Sequence, residues 1–399
     1  MTTTPAEPVA GSGADTLSER VAAPAIMIVA GEASGDLHGA TLARGLRAVA
    51  PACTLYGMGG RHMAAAGVDL IEDVTAAAAV GGTEALGRLP RFLRAFRTLV
   101  ATAATRHPDA VVLIDFPEFN LRLARKIRAA GVPVVYFIPP QIWAWRAGRV
   151  DAIRRRVSLV LTAFPFEAPI YQRAGVPCEF VGHPVLDALA SAPSRADARR
   201  QLALDATSCV VGLLPGSRRE EVERILPLMR ASIERVAAAV PGVRFVLGLA
   251  PTVDRVGVAR ALAGGPAVDV VPGGAHPVMR AADALIVASG TATLEAAVLG
   301  TPMVVVYRLS RLSEAMGRWL VRIPWISLAN IVLGRAVVPE LYQSTATPDN
   351  VATETLRLLQ DADAHEAQRE AFADLARQLG EPGVGERAAR WVLAAAARR

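Results

Sequence analysis

Residues 25–36 read AIMIVAGEASGD, six apolar residues that lead into a turn of small and acidic residues. A helical pattern follows at once, so this stretch predicts a buried strand, a tight turn and a helix. The same order of elements recurs as far as residue 307. Because repeated strand and helix patterns indicate a parallel sheet covered by helices on both faces, the sequence predicts an α/β fold.

The alternation divides into two series, separated by a polar, proline-containing segment at 191–197. The first series predicts strands at 25–30, 54–57, 110–114, 134–138, 159–163 and 179–181. The second predicts strands at 210–214, 244–249, 269–271, 284–287 and 303–307. We therefore expect two Rossmann-like domains, at 23–190 and 191–345, whose parallel sheets face an interdomain cleft.

The two ends of the chain differ from this pattern. Residues 1–22 lack the basic start and apolar run of a secretory signal and predict a disordered tail. Residues 346–399 have helical patterns, and the helix predicted at 386–397 could pack on the first domain or on a partner chain. Since the sequence predicts no membrane span and its three cysteines argue against a disulfide framework, the expected location is the cytoplasm.

The charge of the chain favours anionic partners. The formal net charge is +6 and the isoelectric point is about 9.8. The sequence has no RNA-binding motif and no platform of aromatic and basic residues, so nucleic acid is not an expected partner. Phosphorylated metabolites and an anionic membrane surface remain.

The turn after the first strand is a candidate ligand loop, because ligands of parallel sheets bind beyond the carboxyl ends of the strands. Its small residues Ser34 and Gly35 would admit a ligand to the start of the helix, although glycines here could equally serve helix–strand packing. The acidic residues Glu32 and Asp36 either cap a helix or face a ligand. His38 is a candidate base, with an expected pKa near neutrality.

Asp115 directly follows the apolar run at 111–114. A carboxylate at the end of a buried strand is desolvated, which raises its pKa and suits it to remove a proton from a hydroxyl group. The alternative for Asp115 is a helix N-cap.

Two loops of the second domain predict phosphate binding. Both loops have small residues beside a helix start, and the first also has an arginine, which together match the oxygens of a diphosphate. An acid in the second loop can accept hydrogen bonds from ribose hydroxyl groups. The candidates are Gly216, Ser217 and Arg218 in the first loop and Ser289, Gly290, Thr291 and Glu295 in the second. Both loops could instead be helix caps with surface charges. Together they favour a nucleoside diphosphate.

No HExxH motif or paired-ligand spacing occurs, so we expect no metal and no cofactor. A departing diphosphate would then be neutralised by arginine and helix dipoles.

Eight motifs in order resemble the lipid-A-disaccharide synthase family, family 19 of the two-domain GT-B glycosyltransferases. They are AGEASGD (30–36), IDFPEFN (114–120), PPQIWAWR (139–146), FPFE (164–167), VGHP (181–184), LLPGSRREEVE (213–223), ASGTATLE (288–295) and SLANIVLGR (327–335). The resemblance covers nearly the whole chain from residue 25. Residues 116–118 and 138–141 depart mildly from the family pattern.

The resemblance implies an inverting transferase. It would join UDP-2,3-diacylglucosamine to 2,3-diacylglucosamine 1-phosphate and release UDP and the β(1→6) disaccharide of lipid A. Asp115 matches the base of the family and Glu32 its first-loop acid. Residues that would contact UDP or sugar are Arg218, Glu295, Asn330 and Glu340.

A lipid substrate agrees with a basic amphipathic pattern at 86–100, which includes Phe92 and Arg94. An ordinary surface helix gives the same pattern, and the segment 308–322 is similar. Phe92, Arg94 and Trp143 are candidate contacts for acceptor or lipid, as are Ser34, Gly35 and His38. The expected site of action is the cytoplasmic face of the inner membrane, with peripheral association and a homodimer as one candidate assembly.

Two other classes fit parts of the sequence. A UDP-N-acetylglucosamine 2-epimerase or a peptidoglycan-type transferase would share the fold and the UDP loop without an acyl-chain groove. A basic protein without catalytic activity would bind nucleic acid or membrane through its Arg-rich helices.

Overall fold

The computed structural model describes residues 23–73, 85–143, 148–308 and 324–398. In the second of these ranges, the side chains are described from residue 90 onward. The predicted tail and nearly all of the second amphipathic segment, 308–322, lie outside the described residues.

The first sheet has seven parallel strands in the order β3-β2-β1-β4-β5-β6-β7. Its strands are β1 Ala25–Ala30, β2 Thr54–Gly59, β3 Asp69–Asp73, β4 Ala110–Ile114, β5 Val134–Phe137, β6 Leu159–Thr162 and β7 Cys178–Phe180. Its helices are α1 Ala33–Val49, α2 Arg61–Ala65, α3 Ala85–Arg106, α4 Pro117–Ala129, α5 Arg149–Arg156 and α6 Ala168–Arg173.

The second sheet has six parallel strands in the order β10-β9-β8-β11-β12-β13. They are β8 Val210–Leu214, β9 Arg244–Leu249, β10 Val268–Pro272, β11 Ala284–Ala288, β12 Met303–Tyr307 and β13 Glu340–Tyr342. The helices that follow the first sheet are α7 Val185–Leu189, α8 Arg195–Gln201, α9 Arg219–Ala239, α10 Arg255–Leu262, α11 Ala275–Ala281, α12 Thr291–Val298, α13 Leu328–Leu333, α14 Pro348–Gln360 and α15 Ala362–Gln378.

The interior strands are continuous apolar runs because both faces of each sheet are covered. In β1, Met27 and Val29 belong to the core on one face, whereas Ile26 and Ile28 belong to the core on the other. Side chains that alternate between two buried faces need apolar residues at every position. Each strand predicted from the sequence is observed, with ends that differ by up to two residues.

The last helix, α16 Val384–Ala396, packs on α1. The two helices cross at glycines, since a Cβ atom on Gly45 would lie 2.1 Å from the carbonyl oxygen of Gly385. The Asp187 carboxylate accepts hydrogen bonds from the backbone N–H of Gly383 at 2.6 Å and of Gly385 at 2.9 Å. The C-terminal helix thus lies on the helix that carries the first ligand loop. No helix within the described ranges is long and apolar enough to cross a membrane.

Candidate active site

The order of the strands reverses at one point in each sheet. In the first sheet the reversal lies between β1 and β4, where Ala30 pairs with Ile114. In the second it lies between β8 and β11, where Leu214 pairs with Val287. Ligands of open parallel sheets bind at such points, beyond the carboxyl ends of the strands. The four loops predicted from the sequence follow these four strands, so each sheet has two of them side by side.

Asp115 follows β4 directly, and its backbone has a φ of +46° in the left-handed region. Its carbonyl oxygen accepts hydrogen bonds from the Tyr136 hydroxyl at 2.6 Å and from the Asn120 side-chain amide at 2.8 Å. A non-glycine residue keeps this conformation only where its surroundings impose it. The backbone that carries the Asp115 carboxylate is therefore fixed before any substrate binds.

The surroundings of the Asp115 carboxyl group raise its pKa. Burial raises its pKa, the carboxylate of Glu32 raises it further, and the backbone N–H of Phe116 lowers it. A carboxylate with a raised pKa accepts a proton more readily from a hydroxyl group. The structure gives no support to the N-cap alternative, because α4 begins after Phe116 and has no side-chain cap.

The acids of the first loop have different surroundings. Glu32 is exposed at the start of α1, near enough to act on the pKa of Asp115. Asp36 is buried, and its carboxylate accepts hydrogen bonds from three backbone N–H groups at the start of α2, at 2.8–3.0 Å. Asp36 therefore caps α2. Glu32 is the acid of this loop that is open to a ligand.

The small residues of the first turn of α1 serve packing as well as access. A Cβ atom on Gly35 would lie 3.3 Å from the Cβ of Ala30, so the helix starts close against β1. Ser34 is half-buried beside it. Gly31 is covered by the Phe116 ring, which a Cβ atom at this position would approach to 2.1 Å.

His38 does not have the pKa expected from the sequence. Burial lowers its pKa to about 4, and the Glu295 carboxylate opposes this shift. The expectation of a pKa near neutrality is therefore wrong, and the imidazole is neutral at physiological pH. Its ring contacts that of His183 edge to face, with centroids 6.0 Å apart. His38 lies on α1 and Glu295 on α12, so their electrostatic interaction acts between a helix of the first sheet and a helix of the second.

The aromatic residues near Asp115 form a cluster that includes Phe92. The ring of Phe116 stacks on Phe119 with centroids 5.4 Å apart and lies 5.3 Å from Phe92 of α3. Arg94, two residues further along α3, is exposed. Phe92 therefore reaches the loop of the candidate base, whereas Arg94 faces solvent.

The loop after β8 is shaped by Gly216, whose φ is +111°. A Cβ atom there would lie 2.1 Å from a carboxylate oxygen of Glu221, which accepts a hydrogen bond from the backbone N–H of Ser217 at 3.2 Å. The Thr252 hydroxyl donates to the carbonyl oxygen of Ser217 at 2.6 Å. Arg218 is exposed immediately before α9, at the position where a diphosphate was predicted.

The loop after β11 leaves backbone groups open. Gly290 is exposed, and a Cβ atom on it would meet no atom within 4 Å. Thr291 is the exposed first residue of α12, which no side chain caps, so the proposed Thr291–Glu295 cap is not observed. The Glu295 carboxylate instead lies 3.5 Å from Nε2 of His276. The Ser289 hydroxyl donates to the carbonyl oxygen of Ile326 at 2.7 Å.

Asn330 and Glu340 are engaged with the protein itself. The Asn330 side-chain amide donates to the Glu340 carboxylate at 2.8 Å and to the carbonyl of Val338 at 2.9 Å, and its oxygen accepts from the backbone N–H of Val337 and Val338. The Glu340 carboxylate also accepts from Ser327 and Ile326. These hydrogen bonds support a role in holding the loop between α13 and β13, and contact with UDP or sugar stays a prediction.

Replacing Asn330 by Ala is expected to lower the free energy of unfolding by about 2 kcal/mol, because it leaves two backbone N–H groups and part of a carboxylate without partners. Urea unfolding measures this. The matched control is Asn350→Ala, since Asn350 is exposed and donates its side-chain amide to one carbonyl. Equal stability losses in both variants would contradict the assigned role of Asn330.

Trp143 lies after β5 and donates its indole N–H to the Glu167 carboxylate at 2.9 Å. Glu167 is 2% exposed. No role for Glu167 was predicted from the sequence, in which FPFE is one of the family motifs. The signal that could have identified Glu167 from the sequence is a glutamate that follows the end of an apolar strand.

A family profile described as "Lipid-A-disaccharide synthetase" matches residues 26–394. The chain belongs to this family. Similar relatives named lipid-A-disaccharide synthase include those of Myxococcus xanthus (strain DK1622), 43% identical over 93% of this chain and 97% of the relative, and Geobacter metallireducens, 42% identical over 92% and 96%. The family resemblance inferred from the motifs is confirmed.

Solved structures agree with the GT-B fold. A UDP-N-acetylglucosamine 2-epimerase from Neisseria meningitidis bound to UDP-GlcNAc superposes with a TM-score of 0.61 at 13% identity, covering 90% of this chain and 97% of that one. MurG from Acinetobacter baumannii gives 0.56 at 16% identity, covering 92% and 99%. At these identities the likeness shows the fold alone. The family match, in contrast, favours the disaccharide synthase over the epimerase and peptidoglycan-type alternatives.

Proposed function

We propose that this protein joins UDP-2,3-diacylglucosamine to 2,3-diacylglucosamine 1-phosphate, forming the β(1→6)-linked lipid A disaccharide 1-phosphate and UDP. The observation that supports it most is the desolvated Asp115 carboxylate beside Glu32 at the first switch point. Family membership supports the product, since the relatives are named lipid-A-disaccharide synthase. The two substrates are those that the motif resemblance implies.

The reaction is a single displacement that inverts the anomeric carbon. Asp115 accepts the proton of the acceptor 6-hydroxyl group while the oxygen of that hydroxyl group bonds to the anomeric carbon of the donor. The bond from that carbon to the diphosphate oxygen breaks on the opposite face, and UDP departs. Glu32 orients the acceptor and keeps the pKa of Asp115 raised.

The second domain holds the donor. Arg218 binds the diphosphate together with the open backbone of Gly290 and Thr291, so that positive groups face the charge that develops on UDP. Glu295 accepts hydrogen bonds from hydroxyl groups of the nucleotide. Asn330 and Glu340 hold the neighbouring loop in place.

Lipid substrates require access to a membrane, and we propose peripheral binding to the cytoplasmic face of the inner membrane. On α3, the 49% exposed Leu93 lies next to the exposed Arg94. Apolar and basic side chains on one exposed helix suit acyl chains and anionic head groups.

A mass-resolved assay with the two lipid substrates tests this function. Disaccharide 1-phosphate and UDP are the expected products, with no turnover of UDP-N-acetylglucosamine and no epimer of it. Epimer formation, or transfer of N-acetylglucosamine, would contradict the proposal.

Turnover is expected to survive EDTA, because the sequence has no carboxylate–metal clamp and arginine and helix dipoles can neutralise UDP. Within the described residues no group of three His, Cys, Asp or Glu side chains could hold a metal ion. Initial rates with and without chelator measure this. Loss of activity in EDTA, restored by Mg²⁺ or Mn²⁺, would contradict the expectation.

A further inference from the structure

Glu167 is a buried carboxyl group that the reaction above does not use. It lies between β6 and α6, and both of its oxygens are engaged: one accepts from the Trp143 indole N–H at 2.9 Å, the other from the backbone N–H of Phe164 at 3.3 Å. Neither donor is charged. Burying a carboxylate without a cation is unfavourable, so the position of Glu167 calls for a reason other than stability.

The hydrogen bond to Trp143 orders a row of aromatic rings. The indole meets the Phe166 ring edge to face at 5.1 Å, and Phe166 stacks on Phe164 at 5.5 Å. Phe164 packs against His183 at 5.1 Å, and His183 contacts His38. We call these five residues the aromatic row.

The aromatic row lies at the carboxyl edge of the first sheet, where Asp115 also lies. Trp143 follows β5, which lies next to β4 in the sheet, and Glu167 follows β6, which lies next to β5. At the other end of the row, the carboxylate of Glu295, in the second domain, acts on the pKa of His38. Aromatic faces pack well against the apolar side of a sugar ring and against acyl chains.

We propose that Glu167 is a positioning residue for the acceptor, which acts by holding the indole of Trp143 against which the acceptor glucosamine packs. The proposal rests on the proposed function, because it takes the first domain as the acceptor side. A hydrogen bond to an ionised carboxylate is stronger than one to a neutral group, so ionised Glu167 fixes the indole best.

The charge of Glu167 gives this role a pH signature. Burial raises its pKa to about 7, whereas the hydrogen bonds from Trp143, Phe164 and Ala163 oppose the shift. The other titratable groups that interact with it are the Tyr171 phenol and the Cys178 thiol, both of which burial keeps neutral near pH 7. Glu167 is thus ionised at pH 8 and protonated at pH 6.

Glu167→Gln removes the charge and keeps the shape. At pH 8 we expect the acceptor KM to rise about tenfold, with kcat changed less than about twofold and UDP affinity unchanged. At pH 6 the KM values of variant and wild type should converge, because wild-type Glu167 is then neutral too. Titration of Asp115 affects KM in the variant and in the wild type alike, so it cancels in the ratio of the two KM values. Trp143→Phe should raise KM to the same extent, and the double variant no further.

Glu179→Gln is the matched control, as an acid on the adjacent strand β7, and should leave KM unchanged. The proposal would be overturned if Glu167→Gln kept the wild-type KM at pH 8. It would also be overturned if the ratio of variant to wild-type KM did not change with pH, or if the effects of the Glu167 and Trp143 substitutions on KM were additive.

A second readout does not need turnover. In protein labelled with 5-fluorotryptophan, the Trp143 resonance is assigned by its loss in Trp143→Phe. It should titrate near pH 7 in wild type but not in Glu167→Gln, and should shift on addition of diacylglucosamine 1-phosphate. If disaccharide synthesis fails while this shift occurs, the proposed reaction is wrong and the positioning role stands. If the resonance responds to neither pH nor acceptor, the positioning role is wrong.

Discussion

Asp115→Asn is expected to lower turnover by about a hundredfold or more while UDP still binds. Asn keeps the size of the side chain and one hydrogen-bond acceptor but cannot accept the hydroxyl proton. The backbone at this position is set by Tyr136 and Asn120, so the substitution should not move the loop. Initial rates and UDP affinity measured side by side separate chemistry from binding. The control is Glu118→Gln, which removes an exposed acid in the first turn of α4 that pairs with Arg149.

The pH dependence of the same rates identifies the base. The pKa of Asp115 is raised, so wild-type turnover should increase with pH as this carboxyl group ionises. Removing the charge of Glu32 lowers the pKa of Asp115, and Glu32→Gln should therefore shift this rise in turnover to lower pH. His38→Ala should leave the pH of the rise unchanged. Near-normal turnover in Asp115→Asn, with loss in Glu32→Gln or His38→Ala, would move the base to the first loop.

The interior strands can be predicted from the sequence because both of their faces are buried. Two edge strands were missed for the opposite reason. β3 reads DLIED, with charged residues at both ends, and β13 has three half-buried residues. An edge strand has one neighbour and is often charged, so its composition resembles that of a loop.

Loop positions were predictable but side-chain environments were not. Strand ends and small residues located Asp115, Arg218 and Gly290, because the chain order of a parallel sheet fixes which loops meet. The hydrogen bonds of Asn330 depend on how the loop after α13 folds back on it, and the low pKa of His38 depends on its burial in the folded chain. Glu167 went unassigned for the same reason, since its partner Trp143 lies on another loop.

Arg218→Ala is expected to reduce kcat/KM for the UDP-sugar by about 30-fold to 1,000-fold, which corresponds to about 2–4 kcal/mol for one preorganised charge contact. Within the described part of the chain Arg218 makes no ion pair, and it stands beside the loop of Gly216 and Ser217 at the second switch point. Burial raises the pKa of the nearby Glu221 and the charge of Arg218 lowers it, but no ion pair among the described residues holds the guanidinium, so it can pair with phosphate oxygens.

The next residue supplies the control for this experiment. Arg219 is also exposed, but its guanidinium pairs with the Glu223 carboxylate at 2.7 Å, one turn along α9. If the arginines of this loop are only surface charges, Arg218→Ala and Arg219→Ala should both leave kcat/KM nearly unchanged. If Arg218 binds the diphosphate, its loss alone should weaken UDP binding and slow transfer, while Arg219→Ala stays within about twofold of wild type. Full turnover in Arg218→Ala would show that the diphosphate binds elsewhere, and the open backbone at Gly290 would then be the place to look.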